Sequence, residues 1–392
     1  MKKIISIILL VFVLAISLTS CDVLLDTVTG LIDPNKQEYN NALKLIEEKK
    51  YEEAYDALKK LEGYEPAEKE LENFYLIPVK YVEKSKTSSR QITYEAEYND
   101  KNLVTKITYT SPEASNIDSF FYDSKGNVTR QMNEFITGSY YLLTVTENTF
   151  DPNNKLVKSV RTPAYGGYDT EEYEYDSKGN VTKITYTTNK ITSTSTATSY
   201  AEYTYDAKGN LTKEVITGST GYKTITENTY DTKGRLTKEV ITYQQRDQVT
   251  TTEYSYNADG KLAEETFSVV NKGPHSYGVV NYKITYSYDK KGNLTERAHI
   301  YDVNTIYTFY TYNDANQPTK VEVLYIDLTT KTYEFEYDKY GAVSKMNTTL
   351  GFDVEIEWKL AYYKNGVPKN IAELIDTVSY YFYDLKIPQF ND

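Results

Sequence analysis

The chain has very few of the residues that usually carry thiol or metal chemistry. Among its 392 residues there is one cysteine, Cys21, and there are two histidines, His275 and His299. A single cysteine excludes an internal disulfide and any metal site built from several thiolates. The histidines are 24 residues apart with no carboxylate pattern beside them, which favours packing or solvent-exposed roles over a catalytic or zinc pair. The sequence therefore predicts no metal site, no cofactor and no enzyme.

The chain also lacks a net positive charge and, after its first residues, long apolar runs. Its net charge is −12, which argues against nucleic acid or anionic lipid as a partner. After residue 20 no stretch is apolar enough to span a bilayer. The 56 acidic residues leave one enzyme class open, because the carboxylate separation needed for glycoside hydrolysis is not readable from sequence.

The first residues have the features of a targeting segment. Two lysines precede an apolar run, Ile4 to Ile16, that is too short for an ordinary membrane span. It ends in Leu18-Thr19-Ser20-Cys21, which resembles the lipobox of bacterial lipoproteins. That resemblance implies a signal peptide at 1–20, lipidation of Cys21, and a tether at 21–32 that holds the protein on the membrane, outside the cytoplasm. An ordinary secretory signal or a signal anchor is the alternative.

Residues 33–85 carry a helical pattern. They begin with Asp33-Pro34, a typical helix start. Apolar residues recur at helical spacing in 39–46 and again in 51–61, and Pro66 opens a third helix. The spacing of Ala, Leu and Tyr resembles a single tetratricopeptide-like helical hairpin. We predict that these helices form a spacer, or a cap packed on the first strands. A small partner-docking hairpin is the alternative.

From residue 94 to 350 the pattern becomes a repeat. Ten times an aromatic residue and an acid or amide precede a short turn and a Thr-rich run, most clearly in Tyr175–Lys183 and Tyr205–Lys213. A period of 24 to 32 residues is typical of repeat proteins. The aromatic anchors are Tyr98, Tyr122, Phe150, Tyr175, Tyr205, Tyr230, Tyr256, Tyr288, Tyr312 and Tyr337.

Each unit is predicted to form one β-hairpin. Aromatic and β-branched residues alternate with polar residues before each turn, as in a half-buried strand. In the turn after Tyr205, Asp206 can bond the backbone of a type I turn, and Gly209 can supply the positive φ that closes a bulged hairpin. Ten such hairpins give about twenty antiparallel strands.

These units resemble the YD repeat of the RHS and teneurin proteins. Four copies match it closely: Tyr175–Thr182, Tyr205–Thr212, Tyr230–Thr237 and Tyr288–Thr295. Long arrays in that family form a hollow β-shell, and ten units are expected to be too few to close one. We therefore predict a mainly β fold, with the short helical domain followed by an open, twisted array of about ten hairpins. Residues 351–392 are predicted to cap that array with a strand and a short helix at about 370–378.

The 42 tyrosines and the connecting loops suggest a binding role. The alternating anchors are expected to pack as cross-strand ladders, whereas loops at the opposite sheet edge vary in length, as recognition loops or tolerated insertions do. Four loop tyrosines are therefore candidate binding residues: Tyr165, Tyr168, Tyr222 and Tyr277. The predicted function is a lipid-anchored scaffold or adhesin that binds an envelope protein. A cell-wall or host glycan-binding protein is the alternative, and a polysaccharide hydrolase is the weaker one.

Overall fold

The computed structural model describes residues 34–189, 196–271 and 281–364. The predicted signal peptide, Cys21 and the tether lie outside these residues, as do Tyr277, His275 and the predicted C-terminal helix. In the described ranges, no helix is both long enough and apolar enough to cross a membrane. The described residues divide into a helical unit, which runs to Ile77 and includes residues from Trp358 on, and a sheet unit, Pro78–Glu357.

The helical unit contains three short helices, α1 (Pro34–Glu47), α2 (Tyr51–Lys59) and α3 (Glu65–Leu71). The helical spacing predicted them, and their small and apolar residues pack together, with Ala42, Ala54 and Leu58 buried. Residues 74–85, which the prediction grouped with the helices, form a strand. Within this unit the ring of Phe74 lies edge-on to that of Tyr362, with centroids 5.2 Å apart.

The sheet has 22 strands. The first eleven are β1 (Phe74–Ser85), β2 (Gln91–Tyr98), β3 (Val104–Thr110), β4 (Ser115–Tyr122), β5 (Val128–Thr137), β6 (Tyr140–Phe150), β7 (Leu156–Thr162), β8 (Tyr168–Tyr175), β9 (Val181–Asn189), β10 (Thr196–Tyr205) and β11 (Leu211–Thr217). The others are β12 (Lys223–Tyr230), β13 (Leu236–Tyr243), β14 (Gln248–Tyr256), β15 (Leu262–Asn271), β16 (Asn281–Tyr288), β17 (Leu294–Tyr301), β18 (Thr305–Tyr312), β19 (Pro318–Leu324), β20 (Thr330–Tyr337), β21 (Val343–Thr348) and β22 (Phe352–Tyr362). A short 3-10 helix, Gln244–Arg246, precedes β14.

Consecutive strands pair antiparallel around the whole sheet, and β1 also pairs with β22. Within the sheet unit, two contacts mark this closure. Lys84 Nζ lies 2.6 Å from Glu355 Oε2, and the Lys86 backbone N–H donates to Gly351 O over 2.7 Å. Among the described strands the sheet therefore has no free edge, because its first and last strands are neighbours.

The prediction of an open, twisted array is therefore wrong. The sheet unit is a closed antiparallel barrel of 22 strands. The prediction counted only the hairpins of the repeats and expected a cap to cover the last edge. Instead β1 and β22, which lie outside the repeats, pair with each other and satisfy the backbone groups that an open sheet leaves unpaired at its edges. The predicted last strand is present as β22.

The turns between the strands of each repeat have the predicted geometry. After Tyr205, the Asp206 N–H donates to Asn210 O over 2.9 Å, and the Gly209 N–H donates to Asp206 O over 3.1 Å. Gly209 has a φ of +91°, and the register shifts by one residue between Thr204 and Tyr205. These features define the bulged hairpin that the sequence predicted.

Asparagine takes the place of glycine in three of the turns. Among non-glycine residues, asparagine tolerates the left-handed region well, since its short polar side chain can bond the local backbone. The three residues are Asn102, Asn154 and Asn316, with φ values of +57°, +71° and +61°. The repeat therefore keeps its turn conformation where the Gly of the motif is missing.

Candidate functional site

One face of the closed sheet carries Lys–Glu pairs that bridge neighbouring strands. Three of them are Lys158–Glu172, Lys213–Glu227 and Lys238–Glu253, with Nζ–Oε1 distances of 2.8, 3.0 and 2.9 Å. Their side chains are 42% to 58% exposed. Exposed pairs of this kind add little stability. They identify this face as the solvent-facing, outer one.

The other face carries the tyrosines of the repeats. Burial raises the pKa of both Tyr203 and Tyr254 to about 12, and it likewise raises the pKa of Tyr312 to about 12. On the concave side of a closed sheet, side chains converge and shield one another from water, which disfavours the charged phenolate. We therefore assign the tyrosine face as the inner face.

The repeat tyrosines also join each repeat to the one before it. Tyr205 donates its hydroxyl to the carbonyl oxygen of Val181, at the start of β9, over 2.9 Å. Nine of the ten anchors make this bond to the preceding odd-numbered strand. The other eight pairs are Tyr98–Pro78, Tyr122–Val104, Tyr175–Leu156, Tyr230–Leu211, Tyr256–Leu236, Tyr288–Leu262, Tyr312–Leu294 and Tyr337–Pro318.

Phe150 is the anchor without a hydroxyl, and a neighbouring side chain takes over its role. Asn148 lies two residues earlier on the same face and donates its amide to Val128 O over 2.9 Å. The carbonyl that a tyrosine would bond is therefore still paired. All ten anchors are aromatic because a ring packs at this position in each repeat. The other nine are tyrosine because the hydroxyl makes the hydrogen bond to the preceding repeat.

The edge of the sheet that carries the repeat turns, here called the turn edge, is tied together by side chains. Lys178 Nζ donates to Ala207 O over 3.2 Å, and Lys208 Nζ donates to Thr232 O over 2.9 Å. These two turns thus bond the next turn along the sheet. The polar groups of this edge are largely used within the protein.

The acidic residues of the turns cap the backbone. Asp206 Oδ1 accepts hydrogen bonds from the backbone N–H groups of Lys208 (2.8 Å) and Asn210 (2.9 Å). The Asn210 side-chain amide also donates to this carboxylate and, together with the backbone N–H groups, lowers the pKa of Asp206. Within the described ranges no group of three His, Cys, Asp or Glu side chains could hold a metal ion.

The opposite edge, here called the loop edge, carries the predicted binding tyrosines. Tyr165 and Tyr168 lie at the connection between β7 and β8, and Tyr222 lies just before β12. Their exposed fractions are 78%, 42% and 52%, respectively. The structure therefore places these three rings at one edge of the sheet and in solvent. Tyr165 and Tyr222 lie on two different loops, and Tyr168 is the first residue of β8. Tyr277 lies outside the described residues.

A polar cavity of about 360 Å³ opens on the inner face between β4 and β7. Its lining residues are Asp118, Gln131, Asn133, Thr144, Thr146 and Arg161. They are cross-strand neighbours: Asp118 pairs with Asn133, Asn133 with Thr144, and Thr146 with both Gln131 and Arg161. The cavity is thus lined entirely by polar side chains from four consecutive strands.

A second cluster on the inner face surrounds His299. The imidazole stacks on the Tyr301 ring at 4.3 Å and meets the Tyr282 ring edge-on at 4.6 Å. Burial, followed by the nearby Arg297 guanidinium, lowers the pKa of His299. On the adjacent strands Tyr286 donates its hydroxyl to Glu265. Of the two roles that the sequence left open for His299, packing or solvent exposure, the structure shows packing, because aromatic rings lie against the imidazole.

Sequence reasoning missed the polar cavity. Counting back in steps of two from Tyr122 places Asp118 on the tyrosine face, so alternation alone gives its orientation. The corresponding position in the next two repeats is Thr146 and then Glu171. The alternation therefore identified Asp118 as an inward-facing residue. It could not show that polar residues from four strands meet around Asp118, because the residue type at this position changes from repeat to repeat.

A model of the teneurin YD-shell family matches residues 187–350 of this chain. The repeats in this part of the chain are therefore YD repeats. The resemblance predicted from the turn sequences is confirmed for these repeats, whereas the lipobox and tetratricopeptide-like resemblances remain predictions. The matched range covers the last six aromatic anchors, from Tyr205 to Tyr337.

Solved structures resemble this YD-repeat protein only distantly. TcdB2-TccC3 without its hypervariable C-terminal region superposes with a TM-score of 0.31 and 12% identity, over 72% of this chain and 22% of that one. A porin-like protein from Bacteroides uniformis ATCC 8492 gives 0.26 and 11%, over 73% and 98%. One from Bacteroides vulgatus ATCC 8482 gives 0.20 and 10%, over 72% and 98%. No curated protein sequence matches the chain.

Proposed function

We propose that this YD-repeat protein is a non-catalytic scaffold that binds another protein through its loop edge. The observation that carries the proposal is the exposure of Tyr165, Tyr168 and Tyr222 at the loop edge, at 78%, 42% and 52%. Exposed tyrosines can bury a large ring and still satisfy a hydroxyl, which is why they are enriched in the centres of protein interfaces. The proposed anchor is lipid attached to Cys21, which would hold the scaffold on the membrane surface.

The contrast between the two sheet edges supports the choice of the loop edge. Side chains of the turn edge bond the neighbouring turns, as Lys208 does with Thr232 O at 2.9 Å. A partner that bound there would have to compete with these internal bonds. At the loop edge the tyrosine rings already extend into solvent, so a partner can cover them without breaking the fold.

The test begins by identifying the partner. Full-length protein in detergent is crosslinked in an envelope fraction, the captured protein is identified by mass spectrometry, and its Kd is measured with both components purified. We expect the double variant Tyr165→Ala/Tyr222→Ala to weaken binding at least about tenfold, because truncation of a central aromatic residue commonly costs more than 1 kcal/mol. The matched control is Phe121→Ala, which removes a ring that is 47% exposed on the outer face.

Two results would contradict this assignment. Equal losses of affinity from Phe121→Ala and from the double variant would place the interface on the outer face. Binding of the loop edge to an immobilised cell-wall or host glycan, with no protein captured, would favour the carbohydrate-binding alternative instead.

The proposed anchor has a separate test. In cells fed an alkyne fatty acid, we expect the wild-type protein to incorporate the label and the Cys21→Ala variant to remain unlabelled. Equal labelling of the two proteins would remove the lipid anchor from the proposal and leave the scaffold role to be decided by the binding experiment.

A further inference from the structure

We propose that the polar cavity on the inner face, between β4 and β7, is a binding site for a small neutral sugar. The site is separate from the loop edge and does not depend on the scaffold function. It rests on three features of the cavity: fixed acceptors, nearby donors, and a balance of charge. Each feature follows from contacts among the six lining residues.

The acceptors are oriented by Asp118. Its Oδ1 accepts hydrogen bonds from Gln131 Nε2 at 3.0 Å and from Asn133 Nδ2 at 2.9 Å. An ionised carboxylate only accepts hydrogen bonds, so both amides must turn their NH₂ groups toward it and their carbonyl oxygens away from it. The two amide oxygens and Asp118 Oδ2 have no hydrogen-bond donor among the described residues. Three acceptors are thus held in place without a donor in the described part of the chain.

The donors lie on the two adjacent strands. Thr144 and Thr146 project from β6 into the same cavity, and a hydroxyl can both donate and accept. Arg161 follows on β7, where its guanidinium lies 3.4 Å from Asp169 and its side chain is 52% exposed. Arg161 therefore stands at the solvent-accessible side of the cavity, with N–H groups to spare beyond this one contact.

The mixture of donors and acceptors selects the chemistry of the ligand. Sugar hydroxyls donate and accept at the same time, so they match a site in which carboxylate and amide oxygens lie beside hydroxyl and guanidinium donors. The lining carries one acid, Asp118, and one base, Arg161, and Asp169 lies beside Arg161, so charges of both signs meet at the site and a neutral ligand fits it better than an anion does. A volume of about 360 Å³ lies at the lower end of the range for small-molecule sites and suits one or two sugar rings.

An unpaired polar atom elsewhere on the inner face indicates that water or a ligand binds beside the cavity. Asn116 lies two residues before Asp118 on the same strand, and its buried Oδ1 has no hydrogen-bond partner in the described part of the protein. Buried polar atoms are normally satisfied by protein, water or ligand. The wall beside the cavity therefore retains hydrogen-bonding capacity that the fold itself does not use.

The proposal is tested by titrating the full-length protein in detergent with three sugars, D-glucose, D-galactose and N-acetylglucosamine, and by following binding with saturation-transfer NMR. We expect at least one of the three sugars to bind. Asp118→Asn should weaken that binding about tenfold, since a hydrogen bond to a charged group is worth about 1.5–3 kcal/mol. The matched control is Glu214→Gln, an inner-face carboxylate outside the cavity, which should leave affinity within about twofold.

A second variant separates binding from folding. Thr144→Val removes one hydroxyl at nearly constant volume and leaves the carboxylate and its two amides in place, so we expect a loss of about two- to tenfold in sugar affinity without a change in secondary structure. The loop variant Tyr165→Ala/Tyr222→Ala should keep full sugar affinity, so the two proposals can fail independently.

Three outcomes would overturn the sugar site. None of the three sugars binds the wild-type protein, or sugar affinity is unchanged in both Asp118→Asn and Thr144→Val. The third is that sulfate or ammonium displaces the sugar and binds more tightly, which would show that the cavity selects charge rather than hydroxyl groups.

Discussion

The turn edge and the loop edge of the sheet are built from the same strands but differ in what they use their side chains for. At the turn edge Asp206, Gly209 and Tyr205 all serve the hairpin or the neighbouring repeat, through a capped turn, a positive φ and a bond to Val181 O. At the loop edge Tyr165 and Tyr222 extend into solvent. The repeat is therefore constrained at one edge and free to vary at the other.

This difference separates the positions of the repeat that are needed for folding from the positions that are available for function. The motif that makes the family recognisable, an aromatic residue, an acid and a glycine, lies wholly at the turn edge. Its chemistry is satisfied by the protein itself. Function in this architecture is expected in positions that the motif leaves open, such as the loops and the inward residues that change from repeat to repeat.

The largest expected effect breaks a turn. Replacing Gly209, whose φ is +91°, with valine forces a β-branched residue into the left-handed region. A Cβ there would meet no atom within 4 Å, so backbone strain alone is tested. We expect a loss of about 1–3 kcal/mol in the free energy of unfolding, measured by urea denaturation. The matched control, Ala207→Val, adds the same side chain two residues earlier, and its effect should stay within about 0.5 kcal/mol.

Ala207 is a cleaner control than Lys208, because Lys208 Nζ donates to Thr232 O and its loss would mix two effects. Similar losses from Gly209→Val and Ala207→Val would mean that the positive φ is not what the turn requires. That result would remove the physical basis of the turn edge as a constrained region.

The turn prediction succeeded from sequence because its causes are local. Asp206 and Gly209 determine the hairpin within five residues, and alternation around Tyr203 and Tyr205 fixes which face of the strand is buried. The three helices were likewise readable from apolar spacing in residues 34–71. Local chemistry of this kind does not depend on the number of strands or on their arrangement in space.

Closure of the sheet was not predictable in the same way. Whether β1 meets β22 depends on the twist, tilt and stagger accumulated over every strand between them, and no short stretch of sequence records that sum. The polar cavity was missed for a related reason. Asp118, Asn133 and Arg161 are 43 residues apart at their extremes and become neighbours only through the cross-strand register.

A smaller effect is expected from cutting one link between repeats. Tyr205→Phe removes the hydroxyl that donates to Val181 O at 2.9 Å and keeps the ring. Because a partly buried carbonyl loses its partner, the free energy of unfolding should fall by about 0.5–1.5 kcal/mol. Tyr222→Phe makes the same chemical change at a ring that is 52% exposed at the loop edge and should be neutral. If thermal or urea denaturation gave equal losses for both, the inner-face bond would contribute nothing specific.

Acid should weaken the turn edge selectively. The pKa is lowered at Asp123, Asp176, Asp206, Asp231 and Asp289, whose carboxylates accept side-chain or backbone hydrogen bonds in the folded turns. A carboxyl group whose pKa is depressed by folding stabilises the protein above its unfolded pKa, here 3.8, and this contribution is lost as the pH falls below that value through the folded pKa.

Asparagine already replaces aspartate in three turns, at Asn99, Asn257 and Asn313. It still accepts the backbone hydrogen bonds of the turn: Asn313 Oδ1 accepts from the Gln317 backbone N–H at 2.9 Å. Replacing the five aspartates with asparagine should therefore keep the fold and flatten the loss of stability below about pH 4. Circular dichroism during an acid titration measures this. An unchanged acid transition would assign acid sensitivity to other carboxylates, such as those of the outer face.

The smallest expected effect concerns the anchor that lacks a hydroxyl. Phe150→Tyr should place a hydroxyl near Val128 O, which already accepts from Asn148 at 2.9 Å. A carbonyl has two lone pairs, and Leu211 O shows that both can be used, since it accepts from Asn228 at 3.1 Å and from Tyr230 at 2.8 Å. We therefore expect a gain of about 0.5 kcal/mol, at the low end for a hydrogen bond.

The gain should grow to about 1 kcal/mol when Asn148→Ala is present, because the new hydroxyl then satisfies a carbonyl that would otherwise be unpaired. A double-mutant cycle at Phe150 and Asn148, measured by urea denaturation, gives the coupling between the two donors directly. Full additivity would show that Asn148 does not substitute for the missing tyrosine hydroxyl. If Phe150→Tyr raises the free energy of unfolding more in the Asn148→Ala background than in the wild-type protein, every repeat must pair this carbonyl, whichever side chain supplies the donor.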